Sequence, residues 1–157
     1  MTNPEKPVAQ KSATLFSQDC AVSCDIAARP EKIWALLTDA HRFPSWNTTV
    51  TELGGEIALG NRLVLKVTLD PKRTFKPRVT KLEPSREMEW SDGFAPMFRG
   101  VRTFTLTPKP GGTTEFAMRE VFSGVMLPMI RGSLPDFGPA FETFARDLKR
   151  AAEASAE

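Results

Sequence analysis

Apolar and polar positions alternate along most of this chain, and the period changes near its end. Over 139–154 and the residues just before, Phe137, Phe141, Phe144 and Leu148 recur at spacings of four, three and four, with Ala151 and Ala152 finishing the row. Glu142, Arg146, Lys149, Arg150 and Glu153 fall off that row, which makes the segment an amphipathic helix with a single apolar stripe. Each Phe or Leu buried from the stripe contributes roughly 1.5–3 kcal/mol, so this helix must lie on something broad and apolar.

The upstream chain supplies that surface with a period of two. Phe16, Cys20, Val22, Cys24 and Ile26 share one parity, against Ser17, Asp19, Ser23 and Asp25 on the other, and predict a long strand. Arg29-Pro30 breaks it, and Pro30 is pre-set for the first position of a helix whose short apolar face is Ile33, Trp34 and Leu37. A second helical turn from Ala40 to Phe43 is expected to stop before Pro44, leaving Trp46 and Asn47 in a loop. Strands are then predicted around Val50 and Glu52, over 62–69, from Phe75 through Val79, and at Met88 and Trp90, with Leu82 breaking parity as a bulge would. Two long strands, 98–109 and 113–123, are joined at Pro110-Gly111-Gly112. The segment 124–139 reads as a loop or a broken lead-in to the last helix, because of its glycines and prolines.

The order is strand, two short helices, about six strands, and a long helix. Short turns between successive strands imply an antiparallel meander, and the alternation leaves one face packed and the other wet. The expected fold is α+β: a curved antiparallel sheet of about seven strands wrapped around the C-terminal helix. Residues 1–13 are expected to be a flexible tail and 14–157 a single domain, with no internal repeat, low-complexity tract or linker.

With "PEKIWALLTDAHRFPSWN" after the first strand, this order resembles the START-like helix-grip (SRPBCC) superfamily, and within it the polyketide cyclase/dehydrase branch. The resemblance rests on Pro30, Ile33-Trp34, Asp39, Phe43, Pro44 and Trp46, and later on Trp90, Phe104, Gly112-Thr113, Glu120 and Phe122-Ser123-Gly124. It implies a cavity between sheet and long helix that holds an apolar ligand, with Trp46 near its mouth. The superfamily carries lipid carriers, cyclases, hormone receptors and chaperone activators on one scaffold, so the resemblance leaves activity open.

The residues agree with a cavity on their own account. Leu65, Val67, Val79, Met88, Trp90, Phe98, Phe104, Met118 and Phe122 share one face and carry almost no hydrogen-bonding groups; such linings suit small-molecule sites and simple cores alike. Two charges interrupt the face. If the late hairpin turns on Pro110-Gly111-Gly112 with both apolar faces inward, Leu106 lies opposite Phe116, Phe104 opposite Met118, and Arg102 opposite Glu120. Charges in an apolar wall are costly unless paired, so Arg102 and Glu120 read either as a structural ion pair or as a polar handle for a ligand. Proton transfer is the weaker expectation, since Arg is a poor acid and nothing near it in the reading supplies a second titratable group. The expected ligand-binding set is Trp46, Leu65, Val67, Val79, Trp90, Phe98, Arg102, Phe104, Met118, Glu120, Phe122, Met129, Phe137 and Phe141, with Met97, Met126 and Met129 around the entrance, where flexible thioethers suit a lid.

Composition narrows the rest. The charge is +2, from 21 basic and 19 acidic residues, too balanced to point to nucleic acid. Eleven Phe beside no Tyr suggest an interior that takes aromatic bulk without hydroxyls. Cys20 and Cys24 on one strand stand roughly 13 Å apart at about 3.3 Å per residue, beyond bridging, and are expected as reduced buried thiols. No apolar run approaches the ~20 residues of a membrane span, and residues 1–13 lack a signal-peptide core, so a cytoplasmic protein, monomer or homodimer, is expected. His41, the one histidine, reads as a surface residue. No phosphate loop, zinc spacing or Ser/His/acid arrangement is present, and no cofactor or metal is expected. Lys72, Arg73 and Lys76, between Pro71 and Pro77, read as a solvated turn.

Overall fold

The computed structural model describes residues 6–154. Its longest element is α4 (Gly138–Ala154), and the stripe on that helix is buried as its spacing requires: Phe141, Phe144, Leu148 and Ala152 are almost fully enclosed. The Phe144 ring lies between two layers. On one side are Phe43 and Trp46 of α2 (Phe43–Trp46), at 5.8 and 6.2 Å between centroids. On the other are Phe104 of β7 (Phe98–Lys109) and Phe116 of β8 (Thr113–Ser123), at 6.0 and 6.2 Å.

The main sheet has six antiparallel strands in the order β1-β2-β8-β7-β6-β5. Here β1 is Gln10–Thr14, β2 Ser17–Ile26, β5 Arg78–Glu83 and β6 Glu87–Phe94. Two further strands, β3 (Val50–Gly54) and β4 (Val64–Val67), form a separate hairpin. The expectation of about seven strands in one sheet is therefore corrected to six plus two. The hairpin is nonetheless tied to the start of β5 and the residues leading into it: Leu63 and Leu65 donate to the Pro77 and Phe75 carbonyls at 2.8 Å, and Val79 donates to the Asn61 carbonyl at 2.9 Å. Pro77 has no N–H to complete a ladder there, so the pairing is reduced to isolated bridges. The bulge expected near Leu82 is present, between Val79 and Lys81. Helix α1 (Pro30–Thr38) begins at Pro30 and buries Ile33 and Leu37.

Three local expectations are corrected. Gln10–Thr14, all but its last residue within the stretch 1–13 expected to be a flexible tail, pairs along β2; Ala9 donates to Glu142 Oε2 at 2.9 Å, and Lys11 meets Asp136 at 3.1 Å. All five strand residues are exposed, so this element rests on backbone pairing and left no apolar alternation to read. Residues 1–5 of that stretch lie outside the described residues. Phe16, expected on the inward row, occupies the turn between β1 and β2 and is half exposed. The turn at Ala40–Arg42 does not end before Pro44 but runs into α2, where Pro44 takes an early helical position that needs no N–H donor; Trp46 is thus helical.

Polar residues fasten α4 in place. Asp147 is 3 % exposed, and its Oδ2 accepts from both the N–H and the hydroxyl of Thr48 at 2.7 Å, pinning the chain after α2 to the helix. Lys149 Nζ donates to the Asp25 carbonyl at 2.9 Å, and Ala27 N–H donates to Glu153 Oε2 at 2.8 Å, holding the helix to the end of β2. Cys20 and Cys24 are free and buried, and desolvation pushes both thiols up to about 11. Because Phe144 is 2 % exposed and meets four aromatic rings, Phe144→Ala should cost about 3–5 kcal/mol in denaturant unfolding. An unchanged midpoint would contradict this placement.

Candidate functional site: a groove beside Arg102 and Glu120

Register brings the two inward charges together. Leu106 pairs with Phe116, Phe104 with Met118 and Arg102 with Glu120, as the hairpin parity required. The row continues across the sheet: Trp90 on β6 lies opposite Arg102, and Cys20 on β2 lies opposite Glu120. Arg102 Nε donates to Glu120 Oε1 at 2.6 Å, and the side chains are only 15 and 14 % exposed. The Arg102 guanidinium also lies over the Phe141 ring, 5.1 Å from its centroid. Short range and low exposure both strengthen such a charge-assisted bond, while the ring supplies a cation–π partner.

Beside this pair opens a groove of about 320 Å³. Arg102, Glu120, Trp90 and Gly100 line its base. Gly100 falls on the inward row between Phe98 and Arg102; a Cβ there would press the Phe122 ring at 3.2 Å, so the missing side chain makes room for that ring. Phe98, Phe122 and Phe137 form a stacked wall, with centroid separations of 5.8 and 5.1 Å and interplanar angles of 10° and 29°. Leu65, Val67 and Phe75 supply further apolar lining. The strap between β4 and β5 adds Leu69, Asp70, Arg73 and Thr74, and the end of β6 adds Asp92 and Gly93. Arg73 lies over Phe75 at 5.7 Å and 3.9 Å from Asp70. A larger hollow of about 560 Å³ lies against Ala21, Ser23, Thr103, Thr105 and Ala117 on the opposite parity of the strands. Its charged lining residues, Lys6 and Arg119, are exposed, so the buried charges belong to the smaller groove.

Eight of the expected site residues line the groove: Leu65, Val67, Trp90, Phe98, Arg102, Glu120, Phe122 and Phe137. Six do not. Val79, Phe104 and Met118 are completely packed core residues, and Phe141 touches the site only through its ring beneath Arg102. Trp46, expected near the mouth, packs instead on Phe43 and Phe144. Met129 is 77 % exposed and sits on α3 (Leu127–Ile130), clear of the groove lining. Two carboxylates that the sequence reading did not assign to the site, Asp70 and Asp92, also line the groove. Asp92 is already committed locally, taking the Gly93 N–H at 2.8 Å. His41 is exposed and outside the groove. Trp90 carries a buried indole N–H that meets no acceptor among the described residues. No cluster of three or more His, Cys, Asp or Glu able to hold a metal occurs among the described residues, and none of their helices is long and apolar enough to cross a membrane.

A six-stranded antiparallel sheet with short helices after an early strand and a long C-terminal helix over its inner face is the START-like, helix-grip architecture. Solved structures agree. A START superfamily protein from Mycobacterium smegmatis superposes with a TM-score of 0.65 at 17% identity, over 87% of this chain and 97% of that one. Truncated norcoclaurine synthase from Thalictrum flavum gives 0.65 at 11% identity, over 89% and 96%, and a protein from Rhodobacter sphaeroides gives 0.64 at 25% identity, over 95% and 99%. No curated protein sequence matches the chain significantly. The family model described as polyketide cyclase/dehydrase and lipid transport matches residues 17–157, and the chain belongs to that family.

The pairing of Arg102 with Glu120 has a measurable signature. Glu120→Leu strands a mostly buried guanidinium and should cost roughly 3 kcal/mol. Adding Arg102→Leu should recover part of that loss, with a coupling of about 0.5–3 kcal/mol in a double-mutant cycle. Strictly additive effects would contradict the pairing.

Proposed function

We propose that this protein binds a small, largely apolar molecule carrying one hydrogen-bond-accepting group, with its body along the Phe98–Phe122–Phe137 wall and its acceptor at Arg102. The observation that carries this reading is the half-used guanidinium. Among the described residues its one hydrogen bond leaves from Nε, so the terminal N–H groups are available to a carbonyl, carboxylate or similar acceptor. Trp90, whose indole N–H meets no acceptor among the described residues, stands across from Arg102 on the neighbouring strand. Apolar walls with a few placed polar groups are the usual make-up of small-molecule sites, and 320 Å³ falls at the small end of their range of ~300–1,000 Å³.

A polyketide cyclase or dehydrase reading uses the same groove, with Arg102 polarising a carbonyl. Asp70 and Asp92 favour it by adding carboxylates to the lining. Binding is preferred because Asp92 is engaged by its own turn and Asp70 faces Arg73, whereas a general base must reach the proton it removes. A chaperone-activator role, with a vestigial cavity, fits poorly with a groove that keeps a buried charge at its base.

The test uses the anionic aromatic probe 8-anilinonaphthalene-1-sulfonate. Fluorescence titration should show saturable binding, weakened about tenfold in the double variant Arg102→Met/Glu120→Gln, which removes the donor without stranding a charge. Native mass spectrometry of the purified protein should show a co-purifying small molecule. Equal probe affinity in both proteins would overturn the role given to Arg102, and turnover of a polyketone mimic would favour the enzyme reading.

A further inference from the structure

The end of the molecule beside the groove presents a second feature that ligand binding does not explain. Among the described residues, Leu15, Phe16, Phe94, Met97, Val125 and Met129 are large apolar side chains left in water, with Phe94 at 72 % and Met129 at 77 % exposure. They come from three separate segments, 15–16, 94–97 and 125–129, that the backbone sews together. Gly124 N–H donates to the Phe16 carbonyl at 3.0 Å, Val125 to Pro96 at 2.9 Å, and Met126 to Met97 at 3.0 Å. Arg131 adds a clamp, with Nε donating to Gln18 Oε1 at 3.0 Å and a terminal nitrogen donating to the Leu15 carbonyl at 3.2 Å. Gly93 and Gly124 sit at φ of +82° and +134°, where an added Cβ would collide with the Phe98 and Met97 carbonyls. The apolar tips therefore stand on a built frame. Contiguous exposed apolar patches of this kind mark interaction surfaces.

Charge states what the surface fits. Arg78 pairs with Ser91, so the strap leaves the sheet toward the end of β6 that carries Phe94. Lys72, Arg73 and Lys76 on it are all exposed. Arg99, which donates to Ser91 Oγ, and Arg131 complete five cations around this end, against the carboxylates of Asp70 and Asp92. Neither Lys72 nor Lys76 forms an ion pair with a described carboxylate. An isologous contact with a second copy would place the same basic strap on both sides of the interface. A surface that is apolar beneath and negative on top satisfies both halves of the patch.

We propose that this end docks on an anionic lipid bilayer, with Phe94, Met97 and Met129 entering the interface and Lys72, Arg73 and Lys76 lying over the headgroups. The proposal goes beyond small-molecule binding and stands whether or not the groove is occupied. The contact is peripheral, made by exposed side chains at one end of the fold, and calls for no spanning helix.

Co-sedimentation of the full chain with phosphatidylcholine vesicles, with and without phosphatidylglycerol, tests it. Binding should need the anionic lipid and fade as salt is raised. Phe94→Ser/Met129→Ser and Lys72→Gln/Lys76→Gln should each weaken it about tenfold or more, while melting stays unchanged because all four residues are exposed. Three results would overturn the proposal: no preference for anionic vesicles, binding indifferent to both double variants, or a concentration-dependent dimer in sedimentation velocity that Phe94→Ser abolishes. The last would assign the patch to a second copy.

Discussion

The whole structure depends on how far one helix can cover one face of a sheet. The inward row of β7 runs Phe98, Gly100, Arg102, Phe104 and Leu106. Helix α4 fills the far part of that row: Phe144 meets Phe104 and Phe116, and Phe141 reaches the guanidinium of Arg102. The helix begins at Gly138, so beyond Arg102 the helix itself has no residue left to cover the sheet, and Phe137 just before it stacks on Phe122. The groove is the part of an apolar face that its helix runs out of residues to fill. Packing elsewhere is close, as protein interiors require, which is why the opening is small and confined to one end.

The ion pair sits at the boundary between the filled part and the open part. Deeper in, its charges would meet only Phe104, Met118 and Phe144, with no water and no ligand to share the desolvation cost. Further out, solvent would screen them and leave little orienting power. At this boundary a cation is pre-positioned by a carboxylate on one side and an aromatic face on another. The same end carries the apolar tips and the basic strap, so binding from the groove and docking by the rim would share one approach.

How much of this could be read from residues alone varied with the signal each element carries. The 98–123 hairpin was legible to its register, because a glycine-proline turn between two long alternating runs leaves one pairing that buries both apolar faces. The stripe on α4 was legible for the same kind of reason. The strap was not, since a polar, proline-bounded segment looks like any solvated turn, and only the fold brings Arg73 and Phe75 over the groove. Strand β1 has no apolar face to betray it. Asp147 carries no local signal of its role, because the partner that occupies its carboxylate, Thr48, comes from far away in the chain. Gly100 carried a signal that was passed over: a glycine on the inward parity of a strand marks a place where something else comes close.

The central claim is that the interior is open at Trp90 and closed at Trp46, and one measurement separates them. Two single-tryptophan proteins would be prepared, one keeping Trp90 (Trp34→Phe/Trp46→Phe) and one keeping Trp46 (Trp34→Phe/Trp90→Phe), and each titrated with a brominated apolar carboxylate whose bromine quenches only at contact. Saturable quenching of Trp90 with Trp46 left bright is the result this account predicts. Equal quenching of both, or quenching of Trp46 alone, would contradict it.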